Sequence, residues 1–94
     1  MGNKENVTRT TVRIFGEDHI IIGNKSPEYI KGLANSIDKQ MWAIKEKNPK
    51  LSSTKIAIMT AMILADKLHS LKEECDQLYS MLIEYEEKKS EGKK

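Results

Sequence analysis

The chain has 94 residues, of which 38% are apolar and 32% charged, and its formal charge is only +2. That length gives one domain, or a small head followed by a helical tail, and a head of about 50 residues buries too little surface to be comfortable as a monomer. A near-balanced charge argues neither for nor against nucleic acid. The lone Cys excludes an internal disulfide and suits a reducing compartment. No apolar run approaches the roughly 20 residues of a membrane span, and Met1 to Asn6 lacks the apolar core of a signal peptide. The expectation is a soluble cytoplasmic protein.

Residues 1–6 are expected to fray. Val7 to Phe15 is rich in Thr, Val and Ile and reads as a strand, with Thr8, Thr10, Val12 and Ile14 on one face and Arg9, Thr11, Arg13 and Phe15 on the other. Gly16-Glu17-Asp18 is a turn signal, after which His19 to Ile22 resumes β character and Gly23-Asn24 ends it; the two strands form a hairpin. Ser26-Pro27-Glu28 opens a helix through a hydroxyl cap, a proline suited to the first turn and a carboxylate at the positive end of the dipole. Ile30, Leu33, Ala34, Ile37, Met41 and Ile44 form its apolar face. Asn48-Pro49 stops it, because a residue before proline avoids the α region.

Ser52 or Ser53 caps a second helix that can run to about residue 88, roughly 55 Å at 1.5 Å per residue. Its first part, Ile56 to Ala65, is apolar nearly all round, with Ile56, Ile58, Met59, Met62 and Ile63 outside any single stripe, as expected of a helix that starts inside a core. Through it runs a seam of Ala57, Ala61, Leu64, Leu68, Leu71, Cys75, Leu78, Leu82 and Tyr85, spaced alternately by four and three residues. That is a coiled-coil heptad, with Leu68, Cys75 and Leu82 at a and Leu64, Leu71, Leu78 and Tyr85 at d. No second long helix exists in the chain to cover the seam, so another copy or another protein must. Two-stranded parallel coils favour β-branched residues at a, and their absence here makes an assembly above the dimer plausible. The final stretch, Glu84–Lys94, mixes acidic and basic residues and is expected to fray. The fold class is thus α+β: a frayed 1–6, a ββα(α) head at 7–66, a coiled-coil tail at 67–88 and a disordered 89–94.

Catalytic and metal-binding constellations are lacking in this pattern. His19 and His69 have no Cys, His or carboxylate at ligand spacing. Cys75 serves as a small apolar seam residue with no base implied beside it. Glu73, Glu74 and Asp76 lie on a solvated helix face, and no glycine-rich run makes a phosphate loop. The expectation is a non-enzyme without cofactor. Arg9, Thr11 and Arg13 point the same way from one strand, as in a β-ribbon that enters DNA. Trp42 lies off the apolar face of its helix and is expected to fold onto the hairpin or a subunit interface.

The order of these motifs resembles the ZapA family, bacterial cell-division proteins that associate with the tubulin-like FtsZ. The resemblance is carried by Thr11-Val12-Arg13-Ile14-Phe15-Gly16 with Ile20-Ile21-Ile22-Gly23, then Ile37-Asp38-Lys39-Gln40-Met41, Ile44 and Lys47-Asn48-Pro49. Its clearest part is Leu51-Ser52-Ser53-Thr54-Lys55-Ile56-Ala57-Ile58-Met59-Thr60-Ala61, leading into Ala65-Asp66-Lys67-Leu68. It covers about residues 7–75, and the Asn-Pro break and short tail are closer to the Gram-positive type. Two departures stand out: Glu17 where some members carry a basic residue, and Ile63 where many carry Asn.

The resemblance implies a homodimer of small heads with coiled coils, two of which can join into a homotetramer, heads that bind FtsZ filaments, and a place at the mid-cell division ring. The expected filament-facing residues are Arg9, Arg13, Glu17, Asp18 and Lys55, with Trp42 as an outside candidate. The expected oligomerisation residues are Ile56, Met59, Ile63, Leu64, Leu68, Leu71, Cys75, Leu78, Leu82 and Tyr85. The alternative is a dimeric ribbon-helix-helix-like DNA-binding protein using Arg9, Thr11 and Arg13. That fold takes a single strand and about 45 residues, and a near-neutral chain has little electrostatic affinity for DNA.

Overall fold

A computed structural model describes residues 7–92, with side chains through Lys88. Two antiparallel strands, β1 (Thr8–Ile14) and β2 (Glu17–Gly23), are followed by helices α1 (Pro27–Lys47) and α2 (Ser53–Gly92). The register pairs Ile14 with Glu17 and Thr8 with Gly23, so the connection is the two residues Phe15-Gly16. Both take positive φ, 52° and 85°. That is the type I′ geometry whose twist matches a hairpin. Gly16 adopts it freely. Phe15 is held there by two contacts: its amide donates to Asp38 Oδ1 at 2.7 Å, and its ring lies 4.4 Å from that of Trp42.

The turn therefore falls one residue earlier than the glycine-acid signal suggests, and Glu17 and Asp18 belong to β2. A two-residue loop leaves no room for them, because the I′ turn is closed by the Ile14–Glu17 pair. The alternation along β1 is as the sequence implies: Thr10 and Val12 are buried, and Arg9, Thr11 and Arg13 are exposed.

Helix α1 begins with Ser26 Oγ accepting from the Tyr29 amide at 3.2 Å and Pro27 in the first turn. It ends at Asn48, whose amide still bonds the Ile44 carbonyl at 2.9 Å. Its inner face packs on β1 and buries Ala34, Met41 and Ile44. Leu33, expected on this face, is largely exposed, because it sits at the margin of the stripe and beyond the width of a two-stranded sheet. In the loop to α2, Lys45 Nζ donates to the carbonyls of Pro49 and Leu51 at 2.7 and 3.3 Å. Ser52 Oγ then caps α2, accepting from the Lys55 amide at 3.2 Å.

The described contacts divide the chain after Thr60, although α2 is continuous through that point. In the first unit Val12, Ala34, Met41, Ile44 and Ile56 make the core, together with buried Thr10 and Thr60. Thr60 satisfies its hydroxyl on the Ile56 carbonyl at 2.8 Å, whereas Thr10 Oγ1 has no partner.

The first turns of α2 differ from the all-round burial expected of them. Ile56 is fully enclosed, but Ile58, Met59 and Met62 remain exposed within one chain. A two-stranded sheet and one helix cover only one side of α2. Ile56 accordingly offers no exposed surface within one chain. At the other end, α2 carries on through Gly92. No proline or glycine precedes Gly92 in the last turns. Residues 1–6 and 93–94 lie outside the described residues.

Candidate functional site

Two surfaces carry the residues that sequence reasoning singles out. The first is the face of the hairpin turned away from α1. Cross-strand pairing sets Arg9 opposite Ile22, Thr11 opposite Ile20 and Arg13 opposite Asp18. Arg13 Nη1 lies 3.1 Å from Asp18 Oδ1, with both side chains mostly in solvent. An ion pair this exposed contributes about 0–1 kcal/mol, so it orients the two groups more than it holds the fold. Arg9 has no carboxylate partner among the described residues. The face is thus a short basic and apolar ribbon, with Ile20 and Ile22 beside the arginines.

Glu17 does not join that ribbon. Its place in the register puts it on the α1-facing side with His19, 4.0 Å away. There a shallow cleft of about 320 Å³ is lined by Ile14, Phe15, Glu17, His19, Met41, Ser53, Thr54 and Ala57. Trp42 touches this region through Phe15 and is half exposed. Lys55 sits in the first turn of α2 without lining the cleft. Of the six expected filament-facing residues, the fold brings together Arg9, Arg13 and Asp18 and places Glu17, Trp42 and Lys55 elsewhere on the first unit. Ile20 and Ile22 were not singled out for this surface. The signal for them was in the turn: once the loop is two residues long, parity puts both beside the arginines.

The second surface is the seam. Leu68 is 70% exposed, Leu78 61% and Tyr85 63% in one chain. Leu64, Leu71 and Leu82 are exposed as well, as is Cys75. Met59 is exposed and Ile63 is half-buried. Beside the seam, Tyr79, Met81 and Ile83 are also open, widening the stripe near its end. Apolar area on this scale along a single helix exceeds what a helix in water ordinarily leaves open.

Among the described residues no group of His, Cys, Asp or Glu is placed to hold a metal ion, and no helix is long and apolar enough to cross a membrane.

The profile of the family Cell division protein ZapA matches residues 10–91. The chain belongs to the ZapA family. A ZapA of Geobacillus thermodenitrificans is 41% identical over 75 residues, covering 80% of this chain and 82% of that protein. The ZapA of Bacillus subtilis is 36% identical over 77 residues, covering 82% and 91%. Among solved structures, a ZapA mutant dimer from Geobacillus stearothermophilus superposes with a TM-score of 0.67 at 39% identity, covering 81% of this chain and 88% of that one. ZapA membership makes this a cell-division protein of hairpin-plus-two-helix fold. It also removes support from the DNA-binding alternative, as does the ribbon itself, where Asp18 neutralises Arg13 and isoleucines replace polar contacts.

Proposed function

We propose that this chain is a non-enzymatic scaffold that self-associates through the α2 seam and crosslinks FtsZ filaments at the division ring. The observation that carries the reading is that its two surfaces belong to different units. The exposed seam lies at residues 64–85, and the charged hairpin face lies at residues 9–22 of the other unit. One can be covered by copies of the chain while the other stays free for a filament. FtsZ is the partner that the family resemblance implies, and the dimeric ZapA relative supports self-association.

The mechanism is multivalency. Joining two or more heads makes every contact after the first intramolecular, so weak single-head binding suffices to hold filaments side by side. The extra apolar residues Tyr79, Met81 and Ile83 flanking the seam favour more than two helices in the assembly, a dimer of dimers. Arg9 and Arg13, with Asp18 setting the geometry of Arg13, are the proposed filament contacts.

Co-sedimentation of FtsZ filaments with the wild-type chain and an Arg9→Glu, Arg13→Glu variant tests this. The expected result is a loss of bundling with the oligomer unchanged by light scattering. Wild-type bundling by that variant would place the filament contact elsewhere.

A further inference from the structure

Strand β2 presents a complete free edge. In a hairpin closed by a two-residue I′ turn, the pair flanking the turn is hydrogen-bonded and the pattern alternates from there. Ile14–Glu17, Val12–His19, Thr10–Ile21 and Thr8–Gly23 are therefore the bonded pairs, and the residues between them turn their backbone groups outward. On β1 these are Arg9, Thr11 and Arg13; on β2 they are Asp18, Ile20 and Ile22.

The two edges are not alike. Beside β1 a small cleft is lined by Thr11, Arg13, Lys31 and Asn35, and the guanidinium and ammonium groups there discourage an added strand. Charge at an edge is a common guard against pairing. The middle of β2 has no such guard: Ile20 is 56% exposed, Ile21 38% and Ile22 60%. An apolar strand edge left open is a template for association.

We propose that β2 is the edge on which a second copy of this chain pairs, antiparallel about a two-fold axis at Ile21, joining two hairpins into one four-stranded sheet. The strand's self-complementarity selects the occupant. Registers centred on His19, Ile20, Ile21 and Ile22 keep the outward backbone groups facing each other; the one on His19 sets Asp18 against the partner subunit's Ile20, and the one on Ile22 sets Ile20 against the partner subunit's Asn24. Centring on Ile20 sets Asp18 against the partner subunit's Ile22, a carboxylate on an apolar side chain. Centring on Ile21 sets Ile20 against the partner subunit's Ile22, Ile21 against the partner subunit's Ile21, and Glu17 level with the partner subunit's Lys25. That is apolar on apolar and acid on base, every pairing but the Ile21 one on the axis occurring twice by symmetry. The proposal rests on the self-association read above but not on any filament contact.

Hydrogen exchange on the full-length wild-type chain, with its mass measured by sedimentation in the same buffer, is the first test. In the oligomer the amides of Ile20 and Ile22 are expected to exchange at least about 100-fold more slowly than free amides, alongside that of Ile21, which β1 already protects. An oligomer in which Ile21 is protected but Ile20 and Ile22 exchange freely overturns the edge pairing and leaves self-association standing. A monomer overturns both. The second test is crosslinking of Ile21→Cys in a Cys75→Ala background with diamide as oxidant. A non-bonded antiparallel pair sets its Cα atoms about 4.5 Å apart, within disulfide range. Covalent dimer is expected to form at least about tenfold faster than with Thr11→Cys in the same background; equal rates overturn the proposal.

Discussion

The two halves of the molecule treat apolar residues in opposite ways. Up to Thr60 a modest set, Val12, Ala34, Met41, Ile44 and Ile56, is buried by the chain's own sheet and helices. From Ala61 onward the leucines are as regularly placed, yet Leu68, Leu71, Leu78 and Leu82 all stand in solvent. The first unit closes a small core for itself, and the second is a helix whose stripe one chain leaves open. The hydrophobic effect acts on both, but in the first it stabilises a fold, and in the second, under the proposed function, an assembly.

That contrast can be broken most forcefully at the seam. Replacing Leu71 and Leu78 by Ala should remove about 2–5 kcal/mol each from the assembly where both are fully buried in it. Light scattering is expected to show a smaller species that keeps its secondary structure by circular dichroism. An unchanged mass would mean that the seam is not what joins the copies.

A substitution in the first unit should do the reverse. Ile56 is enclosed within one chain, so Ile56→Ala should cost about 2–5 kcal/mol of folding stability. Its denaturation midpoint should fall at every protein concentration, where the seam variant shows its loss mainly on dilution. Equal concentration dependence in the two variants would erase the distinction between the units.

A smaller effect of opposite sign is expected at Thr10. Its hydroxyl is buried without a partner, and an unsatisfied buried polar group is unfavourable by about 1–3 kcal/mol. Thr10→Val keeps the shape and the β-branch, so chemical denaturation should show it more stable by about 1 kcal/mol. A destabilised variant would mean that the hydroxyl bonds a group in the assembly.

The smallest stability effect belongs to the Arg13–Asp18 pair. Exchanging the two, Arg13→Asp with Asp18→Arg, keeps an ion pair across the strands. It should move thermal stability by less than about 1 kcal/mol, while Arg13→Glu alone sets like charges face to face. If filament bundling survives the exchange but not the single change, the pair acts by its geometry. Loss in both makes the guanidinium at 13 itself the contact.

The elements were legible in the residues because their signals are local. Ser26 and Pro27 start α1, Asn48 before Pro49 ends it, and Ser52 caps α2. The Thr/Val/Ile alternation of β1 sorts its faces without reference to anything else, and the heptad from Ala57 to Tyr85 marks one stripe of α2. The turn was misplaced by one residue because a left-handed Phe15 is not a local preference. It is held by Asp38 and Trp42, 23 and 27 positions away in the chain. That single residue decides the parity of β2, and with it whether Glu17 joins the arginines or faces the helices. The burial of Ile56 beside the exposure of Ile58 and Met59 was likewise beyond periodicity. All three are apolar on one helix, and only the narrow layer of sheet and α1 determines which of them this chain covers by itself.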